Sequence, residues 1–354
     1  MQAKLLFAAV VAGLALAPVL GLGAYPMHLV ITALLWSYIY TCWSLMGRLG
    51  LVSFGHGAFI GIGAYTVVLC WNLFGWSPWL SAPLAVVLAL VLAAVVGWPC
   101  FRLGIIGNYF AIVTLALAEV VRLVIIALRD WTGGNLGITP KPPPADASAA
   151  LWTLQFADKR VWFYVVLVFW LISLAVWRWV DRSMQRSALD AITEDEEAAA
   201  SIGINVARHK LLITLLSAGL TCLGGVLYAL YQRYINPETV SGLTLSLQVV
   251  FGVIAGGMGV LLGPTVGAVL LLAMSEGLRL ALGNELANID RLIYGALLVL
   301  FIIYLPRGVI GEALHRVGLR RRQRMDAGAG AGADADAGAA AVAVKPLPGS
   351  TLGG

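Results

Sequence analysis

The chain contains 354 residues, of which 60% are hydrophobic and only 12% are charged. A soluble domain usually carries about 25% charged residues, so this chain lacks the polar surface that it would need in water. The net charge of +5 does not indicate nucleic-acid binding, because the basic residues flank apolar runs and form no basic domain. The composition therefore predicts an all-α polytopic membrane protein.

Apolar runs of bilayer-spanning length follow one another along the chain. They are predicted at 5–23, 27–46, 51–71, 79–101, 108–128, 161–179, 210–231 and 291–305. The longer stretch 245–274 would measure about 45 Å as one helix, which exceeds a bilayer core. Its glycines and Pro264 predict two segments, short or broken, that meet near Gly259. The total is about ten membrane segments.

The first run has two interpretations, an uncleaved membrane helix and a cleaved signal peptide. We favour the helix because no clear small-residue cleavage site follows it. A cytoplasmic loop at about 180–209 places most of the 23 basic residues inside, with both termini in the cytoplasm. An outer loop is predicted at about 129–160, where consecutive prolines favour extended chain. Residues 1–325 form the membrane domain, and the low-complexity tail 326–354 is predicted to be disordered.

The four cysteines lie in or beside apolar runs, at positions 42, 70, 100 and 222. No pair has metal-ligand spacing, and they form no secreted disulfide framework. We therefore expect no metal site and interpret the cysteines as small apolar packing residues.

The stretch SFGHGAFIGIGAYT, residues 53–66, combines glycines with two polar side chains. Glycines at this spacing predict close packing of helix backbones in lipid. Ser53 and His56 would lie at membrane depth, where polar side chains usually face the protein interior or a cavity. Two interpretations stay open for His56: a hydrogen bond to a neighbouring carbonyl group, or a place in the lining of a polar path.

Glu119 and Arg122 lie three residues apart in an apolar run, so one helix would bring their side chains together. A structural ion pair is the default interpretation, because an unpaired charge at this depth is expensive. A role in gating or in the solute path is the alternative. Thr114 is placed near the same interior face, although its spacing from Glu119 fits a helix imperfectly.

The stretch GVIAGGMGVLLGPTVGAV, residues 252–269, repeats small residues every four positions. A packing seam explains the glycines. The addition of Pro264 allows a second interpretation, a broken helix near the translocation path around Gly259. Glu276 follows on the next segment, with Arg279 as its expected local partner.

The stretch DAITEDEEAAASIGINVARHK, residues 190–210, is the most acidic part of the chain. Thr193 and Glu196 have capping-box spacing, and Gly203 suits a helix end, so a short helix is predicted at 194–202. Its charged side carries Glu194, Asp195, Glu196 and Glu197, and its apolar side carries Ala198, Ala199 and Ile202. The helix is interpreted either as a solvated connector or as a segment that docks into a groove on a partner.

Together these motifs resemble the LivM-type permease subunits of ABC importers for branched-chain amino acids. The resemblance covers most of residues 35–312 and includes YFAIVTLALAEVVR with WTGG after it, and the closing YLPRGVIG. It implies a membrane subunit in the bacterial inner membrane that pairs with a related, LivH-like permease. Two cytoplasmic ATPase subunits and a periplasmic solute-binding protein would complete the importer.

The acidic loop resembles the EAA loop of such permeases, whose core is E-A-A-x-x-x-G. Glu197, Ala198, Ala199 and Gly203 fit that core, which implies that the loop contacts the ATPases. Leu216 stands where the pattern would have proline. The candidate residues of a translocation path are the polar and helix-breaking positions described above: Ser53, His56, Thr114, Glu119, Arg122, Gly259, Pro264 and Glu276.

The sequence lacks the G-x-x-x-x-G-K-[ST] phosphate loop. ATP would therefore be used by partner subunits, and no cofactor is expected on this chain. A stand-alone channel or ion-coupled carrier is the second interpretation, and a membrane-embedded enzyme is disfavoured because no nucleophile set is visible. The family default for the solute is a branched-chain amino acid, with urea, other amides or small carboxylates as alternatives.

Overall fold

The computed structural model describes residues 23–105, 107–142 and 152–282, together with the isolated positions 13, 14, 18, 21, 295, 296 and 308. Its helices are α1 (Ala24–Gly47), α2 (His56–Phe74), α3 (Pro78–Arg102), α4 (Gly107–Ala127), α5 (Arg129–Thr132), α6 (Lys159–Arg182), α7 (Met184–Glu194), α8 (Glu196–Ser201), α9 (Val206–Gln232), α10 (Pro237–Ser241), α11 (Leu243–Gly256) and α12 (Gly263–Leu282). Over these ranges, the single β-type pairing is an isolated bridge between Ile138 and Ile235.

Seven helical segments in the described part are long and apolar enough to cross a membrane. They are α1, α2, α3, α4, α6, α9 and the continuous stretch Pro237–Gly256 formed by α10 and α11. The predicted all-α, multi-pass architecture is therefore confirmed. The predicted total of about ten is not confirmed. Spans 5–23 and 291–305 lie outside the continuously described ranges, and α12, the second half of the stretch 245–274, is not among the seven. The tail 326–354 also lies outside the described residues.

The second span begins later than predicted, at His56 instead of residue 51. The preceding turn uses its backbone amides elsewhere: Phe54 N–H donates to Thr114 Oγ1 at 3.0 Å, and Gly55 N–H donates to Ser53 Oγ at 3.1 Å. Because side chains satisfy these amides, the turn does not need the helical hydrogen-bond ladder.

The glycines of α2 allow two neighbouring elements to approach it closely, as the sequence predicted. A Cβ on Gly63 would overlap the carbonyl oxygen of Cys222 in α9, and a Cβ on Gly225 would overlap the carbonyl oxygen of Ile60. On another side of α2, a Cβ on Gly61 would lie 2.7 Å from Cβ of Ser241 at the end of α10. These contacts pack α2 closely against α9 on one side and against the end of α10 on another.

The stretch 245–274 forms two helices, α11 and α12, joined by residues 257–262. A Cβ on Gly252 would meet α12 at Leu271, and Cβ atoms on Gly256 and Gly267 would overlap the backbone of the opposite helix. The end of α11 packs on the start of α12, and residues further back in α11 pack on residues further along α12, so the two helices run antiparallel. The predicted break near Gly259 is confirmed, and Pro264 occupies the first turn of α12, where its missing N–H costs no hydrogen bond.

The described cysteines are Cys42, Cys70, Cys100 and Cys222, and all four are free and buried. Their interpretation as packing residues is confirmed. Within the described ranges no group of His, Cys, Asp or Glu side chains is placed to hold a metal ion.

Candidate functional site: the acidic loop and the polar groups at membrane depth

The acidic loop folds as two helices rather than one, with the break at Asp195. Asp195 has an extended backbone (φ −157°), and its Oδ1 accepts hydrogen bonds from the amides of Glu197 (2.9 Å) and Ala198 (3.0 Å). Asp195 is therefore the N-cap of α8, and the predicted helix 194–202 is corrected to Glu196–Ser201.

The predicted capping box at Thr193 and Glu196 is wrong. Thr193 lies within α7, and the carbonyl oxygens of Leu189 (2.8 Å) and Leu49 (3.1 Å) share the single proton of its hydroxyl. A residue with helical backbone geometry cannot cap the next helix, because an N-cap needs extended geometry. The Asp195 carboxylate, two residues after Thr193, caps α8 instead.

The predicted end of the short helix at Gly203 is confirmed. Gly203 has φ +91°, and its N–H donates to the carbonyl oxygen of Ala200 at 3.0 Å. The next amide, of Ile204, donates to the carbonyl oxygen of Ala199 at 3.1 Å. This pair of bonds is the Schellman motif, which uses a residue in the left-handed region to satisfy the last carbonyl groups of a helix.

The side chains of α8 divide between the protein interior and the surface. Ala199 is buried, and Glu196 forms an ion pair with Lys210 of α9, whose side chain is 6% exposed. Glu197 and Ala198 are exposed, and Ile202 just after the helix is 76% exposed. The exposed surface of this segment is therefore formed by Glu194, Glu197, Ala198 and Ile202, which we call the outward surface of α8, whereas Glu196 and Ala199 anchor the helix.

A buried arginine that the sequence analysis did not single out lies beside this loop. The Arg48 side chain is 2% exposed, its Nη1 donates to Asp181 Oδ1 at 3.0 Å, and its guanidinium carbon lies 3.9 Å from the centre of the Trp177 ring. Burial, together with the neighbouring charge of Arg186, lowers the pKa of Arg48 to about 10. The group remains protonated at neutral pH, and it ties the end of α1 to the end of α6.

Ser53 and His56 are both buried at the start of α2. His56 Nε2 lies 2.9 Å from Ser217 Oγ, and the Ser217 hydroxyl donates to the carbonyl oxygen of Cys42 at 2.7 Å. Because the hydroxyl proton is used by Cys42, the His56 ring must donate to Ser217. This geometry supports the structural interpretation of His56, with a hydroxyl as its partner instead of a carbonyl group.

Thr114 is buried and faces the turn before α2 rather than the ion pair on its own helix. Its Oγ1 accepts from Phe54 N–H at 3.0 Å and donates to the carbonyl oxygen of Ala111 at 2.9 Å. The structure thus brings Ser53, His56 and Thr114 together at one end of α2.

Glu119 and Arg122 form the ion pair that their spacing predicts, with Arg122 Nε at 3.1 and 3.0 Å from the two carboxylate oxygens. The pair is not enclosed, because the Arg122 and Glu119 side chains are 27% and 39% exposed. The surrounding face of α4 is apolar and exposed, with Val120 and Leu123 beside the pair. An ion pair on an open face at membrane depth is costly against lipid, so this face is expected to meet protein or a polar path.

The other three candidate path residues, Gly259, Pro264 and Glu276, lie apart from both the buried polar group at the start of α2 and the ion pair of α4. Gly259 is exposed with open space around it, and Pro264 is buried at the start of α12. Glu276 lies about 20 Å further along that helix. Its carboxylate accepts from the Tyr25 hydroxyl at 2.7 Å and lies 4.0 Å from Arg279, its expected partner.

Comparisons with known proteins agree with this architecture. A family described as the permease component of branched-chain amino acid transport systems matches residues 29–302. The high-affinity branched-chain amino acid transport permease proteins LivM of Escherichia coli (K12) and Salmonella typhimurium (LT2) are each 31% identical, over 75% and 79% of this chain. The chain spans 65% and 68% of the lengths of these two relatives.

More distant similarity reaches two further permease proteins from one organism. The probable branched-chain amino acid transport permease proteins LivM and LivH of Methanocaldococcus jannaschii are 25% and 24% identical, over 76% and 73% of this chain. The matches cover 80% and 82% of those two relatives. No solved structure matches the chain.

Proposed function

Because this chain belongs to the family of permease components of branched-chain amino acid transport systems, we propose that it is the membrane-spanning permease subunit of an ABC importer for these amino acids. It lies in the bacterial inner membrane with both termini in the cytoplasm. It pairs with a LivH-like permease, two cytoplasmic ATPase subunits and a periplasmic solute-binding protein. The ATPases use the ATP, and this chain binds no cofactor of its own.

The observation that carries this proposal is the construction of α8. Residues of the same loop cap the helix at both ends. Buried Ala199 and the Glu196–Lys210 ion pair hold it to the rest of the protein, and its outward surface is exposed. A helix of this length is not stable alone in water, so the anchors make it a rigid projection. A rigid projection that is held to the start of α9 by this ion pair is suited to convert movement of an ATPase into movement of the bundle.

The solute path is proposed to run along the face of α4 that carries Glu119 and Arg122, against the LivH-like subunit. The ion pair supports this assignment because lipid is a poor environment for it, whereas a second permease or a hydrated path is a better one. The exposed face of α3, by contrast, carries apolar side chains such as Leu84, Val91 and Val95, which suit contact with lipid.

The proposal is tested by reconstitution of the complete importer in liposomes. We expect uptake of radiolabelled L-leucine that requires the binding protein, both permeases and hydrolysable ATP on the side of the ATPases. An otherwise identical preparation whose ATPases carry an inactivated phosphate-loop lysine is the control. Uptake of L-leucine by this chain without ATPases would contradict the proposal and support a channel or secondary carrier.

A further inference from the structure

The turn between α1 and α2, residues 48–55, contacts the acidic loop at one end. The Thr193 hydroxyl of α7 shares its single proton between the carbonyl oxygen of Leu49, at 3.1 Å, and that of Leu189 in its own helix, at 2.8 Å. One residue earlier, Arg48 is held by Asp181 and lies over Trp177, both in the last turns of α6. The turn is thus fixed to the helices that lead into α8.

The other end of the same turn contacts α4. Phe54 N–H donates to Thr114 Oγ1 at 3.0 Å, and a Cβ on Gly55 would lie 3.1 Å from Cβ of Thr114. The Ser53 carbonyl oxygen accepts from Trp43 Nε1 at 2.7 Å, which ties the turn to α1 as well. Thr114 precedes Glu119 by five residues of continuous helix, about 7.5 Å along the axis.

The chain between these two contacts is short and largely buried. Four residues lie between Leu49 and Phe54: Leu51 and Ser53 are buried, Val52 is half-buried and Gly50 is exposed. Close-packed segments have low compressibility and transmit displacement instead of absorbing it. A movement of α7 must therefore either shift this turn or break the Thr193 hydrogen bond.

We propose that residues 48–55 transmit movement of the acidic loop to α4, with Thr193 and Thr114 as the positioning residues at the two ends. This inference rests on the proposed function, since it assigns a route within the importer. The ion pair of Glu196 with Lys210 holds α8 to α9, and the turn supplies the link from α7 to the helix that carries Glu119 and Arg122.

The test measures L-leucine imported per ATP hydrolysed by the reconstituted importer. Thr193→Val and Thr114→Val keep the side-chain shape and remove the hydroxyl. We expect the ATPase subunits to copurify with both variants, while the ratio falls about tenfold. Thr193→Ser and Thr114→Ser retain the hydroxyl and are expected to restore the ratio. The double valine variant is expected to be no worse than either single one, because both interrupt one route.

Thr214→Val is the matched control. Thr214 is buried in α9, and its hydroxyl donates to the carbonyl oxygen of Lys210 within the same helix at 2.8 Å. We expect it to transport as the unaltered chain does. Normal ratios in both valine variants, serine variants as defective as valine ones, or additive effects in the double variant would each overturn the inference. If the unaltered importer shows no ATP-driven uptake, the proposed function itself fails, so the two failures are distinguishable.

Discussion

Gly203→Val is expected to detach the ATPase subunits and to lower ATP-driven uptake about tenfold or more. Gly203 has φ +91°, a conformation that a β-branched residue adopts only under strain. The strain of about 1–3 kcal/mol acts on the Schellman motif that closes a six-residue helix. Because α8 has little stability of its own, we expect it to lose its end and its outward surface to lose its shape.

Gly203→Asn is the matched control for this experiment. Asparagine visits the left-handed region more readily than other residues, so most of the ATPase association and uptake should remain. A Cβ at Gly203 meets no atom within 4 Å, so a steric clash cannot explain a defect. Equal association for the valine and asparagine variants, measured by copurification from detergent, would show that the left-handed turn is not needed for docking.

The second large effect is expected at the ion pair of α4. Glu119→Leu or Arg122→Leu leaves one charge without its partner at membrane depth, at a cost of about 2.5–3.5 kcal/mol on insertion scales. Each single variant should therefore reduce both the amount of assembled importer and its L-leucine uptake. The double variant removes both charges, so we expect assembly to recover while uptake per assembled complex stays low.

This comparison separates the two interpretations of the pair. A purely structural ion pair predicts that the double variant regains uptake together with assembly, and that result would contradict a role in the path. Unchanged uptake in both single variants would contradict both interpretations. Arg129→Leu with Asp130→Leu is the control. That ion pair is exposed and lies just after the C-terminal end of α4.

Local patterns in the sequence predicted a large part of the structure. The spans follow from long apolar runs, the Glu119–Arg122 pair follows from helical spacing, and Gly203 follows from the preference for glycine at a helix end. The close approach at Gly63 was also foreseeable, since small residues in lipid-embedded helices favour contact between backbones. In each case the signal lies in the local sequence.

The contacts that organise the acidic loop could not be predicted in this way. The ion pair of Glu196 with Lys210, the Arg48 bond to Asp181 and the Thr193 bond to Leu49 join residues that only tertiary packing brings together. The choice of Asp195 over Thr193 as the N-cap depends on where α7 ends, and the packing of Leu189 and Ile192 in the core carries α7 past Thr193. Sequence spacing has no signal for such contacts.

Sequence spacing also could not predict which candidate path residues lie close together. Their shared feature in the sequence is polarity or helix breaking at membrane depth, and the structure divides the six polar residues among three places. Ser53, His56 and Thr114 form a buried group, Glu119 and Arg122 lie on an open face, and Glu276 pairs with Tyr25 near the start of α1. Of these, the open face of α4 is the location that best supports contact with a solute or a second permease.

The central claim is that the outward surface of α8 docks on an ATPase subunit, and site-specific photocrosslinking tests it most directly. A photoreactive amino acid replaces Ile202, which is 76% exposed, or Leu136, which is 84% exposed and follows the far end of α4. In an importer that retains L-leucine uptake, we expect a crosslink to the ATPase from position 202 and none from position 136. A functional importer that gives the ATPase adduct from position 136, or no adduct from position 202, would contradict the claim.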